Sequence, residues 1–251
     1  AYPAIAREGT ASEPRAAPRG RVGRCAGHRD PAHGGGLSCR HGDLCAWFRH
    51  CRCCRRRDRA FCAGASFDEL MAVSNLEEGK VFFSGFANVI NAMRTCKKII
   101  IGRVQGKTVG GGVGLAAACD YVFASVDASI RLSELTIGIA PLVIEPVVER
   151  KIGAAAISEL SLSPSEWKNA YWAKEKGLFS KVFDSIKDLE NDLEFFAEKL
   201  SSYNPKALEE LKKVLWKDTS HWDTLLVERA AITGKLVLSE FTRNALSKFK
   251  K

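Results

Sequence analysis

The 251-residue chain lacks any uninterrupted apolar run of the roughly 18 to 20 residues that a membrane-spanning helix needs. Its first residues also lack the charged, apolar and small-residue order of a secretory signal peptide. These absences exclude the usual membrane and secretory classes, and we expect a cytoplasmic protein. The 46% of hydrophobic residues suffices for one large core or two small ones.

Lysine is absent before Lys80, and this absence divides the chain. Residues 1–59 contain 13 Arg and 5 acidic residues, whereas residues 60–251 contain 25 Lys and Arg against 24 acidic residues. The net charge of +9 therefore comes almost entirely from the N-terminal segment. We place the boundary of this atypical Arg- and Cys-rich segment at residue 58.

Residues 1–58 show neither a helical nor a strand-like apolar period. Three interpretations stay open: a basic arm for nucleic acid, a metal site, or a disordered extension or misread sequence. No two CxxC units have finger-like spacing. The abrupt change in cation usage favours the third interpretation, so neither a metal nor a nucleic-acid partner is expected. The scattered metal candidates are Cys25, His28, His33, Cys39, His41, Cys45, His50, Cys51, Cys53 and Cys54.

Only three cysteines remain beyond that segment, namely Cys62, Cys96 and Cys119. They predict no disulfide framework and suit a reducing compartment. We interpret them as small buried apolar side chains.

A glycine-rich stretch, "VQGKTVGGGVG", follows a strand predicted at about residues 98–104 and precedes a helix predicted over residues 113–119. The first amides of a helix have no intrahelical acceptor and favour negative charge in front of them. Glycine lets a ligand approach this backbone closely. The stretch therefore predicts either a phosphate site or an oxyanion hole.

The phosphate interpretation is supported by a weak match to a known sequence motif. A dinucleotide fingerprint can be laid over Gly112, Gly114 and Ala117, with Glu134 about 20 residues further on. The turn begins late after its strand, and no complete mononucleotide-binding half precedes it. An NAD-dependent enzyme is therefore kept as a minor alternative.

A second glycine turn, "FCAGAS", could supply another backbone amide, which is what an oxyanion hole needs. These two blocks, with the "CD" after the helix, resemble the pattern of the crotonase superfamily, the enoyl-CoA hydratases and isomerases. The resemblance covers residues 59–251 and implies an α/β fold, a spiral of ββα units over residues 59–185. It further implies a C-terminal helical region, residues 186–251, that assembles subunits into trimers or hexamers.

The resemblance also implies site residues. The amides of Ala65 and Gly111 would hold the thioester oxygen of an acyl-CoA substrate, with Ala63, Gly64 and Gly110 completing the binding turns. Coenzyme A enters as part of the substrate, and no separate cofactor or metal is implied.

The resemblance implies that Glu134 is the acid/base, because a catalytic glutamate of the family follows a strand at this position. Ala128, Ile130 and Leu132 alternate as a half-buried strand leading to it. The family's hydratases have a second glutamate where this chain has Gly114. Glu145 is a candidate for the second carboxylate.

Loss of one glutamate matters because hydration uses proton transfers at two positions, which two carboxylates share most easily. The region resembles both hydratases, including bacterial methylglutaconyl-CoA hydratases, and double-bond isomerases. We predict hydration of a 2-enoyl-CoA, with 3,2-enoyl-CoA isomerisation as the alternative and a nucleic-acid-binding role as a further one.

The C-terminal part reads as helices with apolar stripes, one of them opened by an Asn204–Pro205 cap. Trp216 and Trp222 are interpreted as core residues. The final "LSKFKK" resembles the family's terminal residues that reach CoA phosphates, which makes Lys248 and Lys251 candidate binding residues.

Overall fold

The computed structural model describes residues 60–248 of the chain. The Arg- and Cys-rich segment lies outside these residues, as does Lys251. The predictions made for that segment, a basic arm, a metal site or a disordered extension, are therefore outside the described residues too.

The strands form two small sheets. One has the order β1-β3-β5-β6, in which β1, β3 and β5 run parallel and β6 antiparallel. The other has the order β2-β4-β7 and is entirely parallel. The strands are β1 (Ala60–Cys62), β2 (Ile101–Val104), β3 (Lys107–Val109), β4 (Tyr121–Ser125), β5 (Ser129–Arg131), β6 (Lys168–Asn169) and β7 (Lys181–Phe183).

Helices alternate with these strands and then dominate the C-terminal part, so the described residues have the predicted mixed α/β character. The helices are α1 (Phe67–Ala72), α2 (Leu76–Thr95), α3 (Gly111–Ala118), α4 (Glu145–Leu162), α5 (Ala170–Glu175), α6 (Ile186–Ser201), α7 (Pro205–Leu215), α8 (Trp222–Val237) and α9 (Glu240–Ser247). A 3-10 helix spans Glu134–Ile137. Among the described residues, none of the helices combines the length and apolarity needed to cross a membrane.

Helix α3 is the centre of the core. Its residues are small and apolar, and most of them are buried. A helix that is apolar on all sides can be stable only when other elements surround it. Its burial fixes the position of the glycine turn from which it starts.

Asp120 ties the C-terminal helices to this core. One carboxylate oxygen accepts hydrogen bonds from the Lys212 ammonium and the Ile100 amide, both at 2.7 Å. The other accepts from the Trp216 indole, also at 2.7 Å. Because the Lys212 and Asp120 side chains are only 3% and 4% exposed, each charge depends on the other for compensation.

This network also explains why β2 begins later than residue 98. The Ile100 amide binds the Asp120 carboxylate, and the Ile100 carbonyl accepts from the Asp120 amide. Ladder pairing with β4 therefore starts only at Ile101.

Helices α2 and α8 cross with their backbones in contact. A Cβ atom added to Gly79 would lie 2.8 Å from the Gly234 backbone. This contact packs α8 directly against α2.

The interpretation of Trp216 and Trp222 as core residues is confirmed, since both are 5% exposed. The predicted Asn204 cap is confirmed by its side chain, which accepts from the Lys206 amide at 2.9 Å.

Candidate active site

A cavity of about 210 Å³ lies between the two glycine turns, the 3-10 helix and helices α2 and α8. Its wall is mainly apolar, as is usual for small-molecule sites. The apolar side chains include Phe67, Leu70, Phe83, Phe86, Val109, Ile137, Ile139, Leu142, Val143 and Ile144. The titratable side chains of the described wall are Glu134 and Arg131.

The two glycine turns meet at this cavity. Ala63, Gly64 and Ala65 line it together with Gly110 and Gly111. A Cβ placed on Gly64 would lie 3.8 Å from the Gly111 nitrogen, so the turns are in van der Waals proximity. The structure thus brings together the five backbone positions singled out in the sequence.

Gly110 has a backbone conformation that glycine adopts most readily, with φ of 54° and ψ of −122°. Its amide donates to the Arg131 carbonyl at 2.9 Å, which ties the turn to the end of β5. Helix α3 begins at the next residue, so the Gly111 amide has no acceptor within the helix.

Glu134 lies against this turn. A Cβ on Gly110 would be 2.8 Å from Oε1 of Glu134, so a larger residue would displace the carboxyl group from its present position. Strand β5 ends three residues before Glu134 and is held to the turn by the Gly110 hydrogen bond. The carboxyl group is thereby fixed beside the start of α3.

The Glu134 carboxyl is poorly solvated. Oε2 is buried and has no hydrogen-bond partner among the described residues. Burial raises the pKa of Glu134 from 4.5 to about 7, and a hydrogen bond to its own backbone lowers it by less. A carboxyl with such a pKa can give and accept protons near neutral pH.

Ile144 occupies the space beside Gly114. A Cβ on Gly114 would lie 2.5 Å from Cγ2 of Ile144, and Ile144 also lines the cavity. A carboxylate at residue 114 would therefore require the Ile144 side chain to move. The close approach also bears on the dinucleotide alternative, because Gly112 and Gly114 pack against Cys62 and Ile144 and so serve packing within the protein on those sides.

Glu145 does not line the cavity of Glu134, although its neighbour Ile144 does. It starts α4 and forms an ion pair with Arg229 of α8 at a separate, open cleft. The Glu145 carboxyl also hydrogen-bonds Glu149 and thereby raises the pKa of that residue. The expected second carboxylate therefore faces away from Glu134, because Arg229 attracts it toward α8.

Sequence reasoning missed three polar cavity residues, namely Arg131, Ser133 and Thr233. Arg131 is the last residue of β5, three positions before Glu134, and Thr233 reaches the wall from α8. The alternation of Ala128, Ile130 and Leu132 could have revealed Arg131, since it puts that residue on the opposite face of the strand. No local signal pointed to Thr233, whose position depends on the crossing of α2 and α8.

Lys248 is exposed at the end of α9 and does not line the cavity. Its predicted role in binding CoA phosphates stays a prediction, as does that of Lys251.

A sequence model of the family described as Enoyl-CoA hydratase/isomerase matches residues 55–245. The peroxisomal Delta(3,5)-Delta(2,4)-dienoyl-CoA isomerase of Arabidopsis thaliana is 30% identical over 167 residues, which are 62% of this chain and 60% of that protein. The mitochondrial enoyl-CoA hydratase of Pongo abelii is 29% identical over 74% of this chain and 62% of its own length. The chain thus spans about 60% of these curated relatives.

Solved structures share the fold. The enoyl-CoA hydratase of Bacillus halodurans superposes with a TM-score of 0.70 at 18% identity, over 77% of this chain and 78% of that chain. An enoyl-CoA hydratase of Shewanella pealeana gives 0.59 at 27% identity, over 76% and 72%. These structures have the crotonase fold that the sequence predicted. Because the family match covers about three quarters of its residues, the chain belongs to the enoyl-CoA hydratase/isomerase family.

Proposed function

We propose that this chain hydrates a 2-enoyl-CoA thioester, with Glu134 as its proton-transfer group. The observation that carries the proposal is the lone carboxyl, with its pKa raised to about 7, at the meeting point of the two glycine turns. The amides of Ala65 and Gly111 are the proposed donors to the thioester oxygen. Such donors stabilise the negative charge that develops on that oxygen during reaction.

A single neutral carboxyl group can perform both proton transfers of hydration. One oxygen of Glu134 gives its proton to C2 of the enoyl chain. The other oxygen accepts a proton from the water whose oxygen forms the new bond to C3. The carboxyl ends neutral, so water is added across the double bond without a second acid or base.

Isomerisation of a 3-enoyl-CoA is the second candidate, because Ile144 fills the place of a second carboxylate. In this reaction the Glu134 carboxylate removes a proton from C2 and returns it to C4. The double bond moves from C3–C4 to C2–C3. A relative whose name describes an isomerase adds support.

The two reactions need opposite protonation states of Glu134, so their pH profiles differ in sign. Hydration by the neutral carboxyl should slow as pH rises through about 7, and isomerisation by the carboxylate should slow as pH falls through about 7. Crotonyl-CoA and a 3-enoyl-CoA are the substrates to compare. Loss of the conjugated thioester absorbance with the first supports hydration, and its gain with the second supports isomerisation.

No change with either substrate, from folded protein, would contradict the proposal. Since every proton transfer is assigned to Glu134, we expect activity to persist after treatment with EDTA.

We also propose a homotrimer or hexamer in the cytoplasm. Exposed apolar side chains on the C-terminal helices support self-association, since Val214, Ile232 and Phe241 are 62%, 51% and 67% exposed. Light scattering would test the assembly, where a monomeric mass would contradict it. Imaging a tagged chain in its native cell would test the compartment.

A further inference from the structure

Arg131 lines the cavity of Glu134, and the family's proton transfer does not require it. Its Nε atom is buried and has no hydrogen-bond acceptor among the described residues. A buried donor without an acceptor is costly and rare in folded proteins. A cavity with such a donor in its wall is suited to a ligand that brings an acceptor.

Trp167 holds the guanidinium in place. The central carbon of the Arg131 guanidinium lies 4.5 Å from the centre of the indole ring. Arg131 is the last residue of β5 and Trp167 immediately precedes β6, next to the antiparallel pair in which Ile130 faces Lys168. Stacking on a ring orients the planar group while leaving its edge free to donate two parallel hydrogen bonds.

The positive charge of Arg131 is also available to a ligand. None of the ion pairs within residues 60–248 uses Arg131. The described residues thus leave the guanidinium without an ion-pair partner in a cavity that Glu134 also lines.

We propose that Arg131, held by Trp167, forms an anion-binding subsite for the thioester that occupies this cavity. A carboxylate or phosphate oxygen fits the donor pattern of a guanidinium edge. The anion could be a carboxylate on the acyl chain or a phosphate of CoA. The proposal rests on the proposed function, because it assumes that a thioester binds here.

The test measures binding, so it does not depend on turnover. Calorimetry would compare glutaryl-CoA, pentanoyl-CoA and the pantetheine thioesters of both acyl groups, using the full chain and its Arg131→Gln variant. Lys107→Gln is the matched control, because Lys107 lies 5.1 Å from the centre of the same Trp167 ring but does not line the cavity. Thermal denaturation would verify that each variant is folded.

If Arg131 binds an acyl carboxylate, Arg131→Gln should weaken glutaryl thioesters by roughly 10- to 100-fold and pentanoyl thioesters by less than about twofold. If it binds a CoA phosphate, both CoA thioesters should weaken and neither pantetheine thioester should. Equal binding by wild type and Arg131→Gln would overturn the subsite alone, as would an equal effect of Lys107→Gln. A wild-type chain that binds none of the four thioesters would overturn both this proposal and the proposed function.

Discussion

Replacement of Glu134 by glutamine should change how the stability of the protein depends on pH. The carboxyl of Glu134 is desolvated in the folded protein, where burial raises its pKa to about 7. In the unfolded chain the same group is in water, with its ordinary pKa of 4.5. Glutamine keeps the shape of the side chain but cannot ionise, so it removes this pH dependence.

The sign and size of this pH dependence follow from the difference between the pKa of Glu134 in the folded and in the unfolded protein. Below pH 4.5 the group is protonated in both states and does not affect the free energy of unfolding. As pH rises toward 7 the unfolded state ionises first, so wild-type stability is lost until the folded group also ionises. A shift of this size corresponds to about 3 kcal/mol in total, of which about 2 to 3 kcal/mol falls between pH 5 and pH 8.5.

Urea denaturation of wild type and Glu134→Gln at these two pH values gives the free energies of unfolding. The advantage of the variant should grow by about 2 to 3 kcal/mol from pH 5 to pH 8.5. Glu77→Gln, which changes an exposed carboxyl in the first turn of α2, controls for general effects of the substitution. A difference between Glu134→Gln and wild type that stays constant across pH would refute the desolvation of Glu134.

Three further predictions concern the neighbouring structure. Gly114→Ala should cost about 1 to 3 kcal/mol of unfolding free energy, since its Cβ would lie 2.5 Å from Ile144, and adding Ile144→Ala should recover part of this loss in a double-mutant cycle. A full, additive loss in the double variant would contradict the proposed clash. Asp120→Ala should cost about 3 to 5 kcal/mol, because it leaves Lys212 buried without its partner; a loss below about 1 kcal/mol in urea would show that the pair is dispensable. Glu145→Gln should keep kcat/KM within about threefold, since Glu145 lies outside the cavity, and a loss on the scale of a missing acid/base would restore Glu145 as a second carboxylate.

Local sequence signals predicted the elements that carry the site, and the resemblance to the family assigned roles to residues within them. The glycine run marks the start of a helix whose residues are too apolar to be exposed, and β5 is visible as an alternating strand. Both features depend on residues close together in the chain. For that reason the glycine turn could be placed before a helix and Glu134 after a strand. The helix begins at Gly111, two residues earlier than the predicted residue 113.

Contacts between distant residues could not be predicted in the same way. Gly114 reads as a missing glutamate, but only the fold shows that Ile144 takes up the space beside it. Glu145 has a suitable residue type and spacing, and its direction is decided by Arg229, 84 positions along the chain. The start of β2 likewise depends on the Asp120 carboxylate, which lies 20 positions from Ile100.

We expect the lone Glu134 carboxyl to transfer the protons of the reaction. The most direct test of this expectation is proton NMR of crotonyl-CoA in D2O with wild type, Glu134→Gln and Glu145→Gln. The account predicts 3-hydroxybutanoyl-CoA with one deuterium at C2, formed by wild type and Glu145→Gln and slowed by roughly 100- to 10,000-fold in Glu134→Gln. Unchanged deuterium incorporation by a folded Glu134→Gln variant would contradict it.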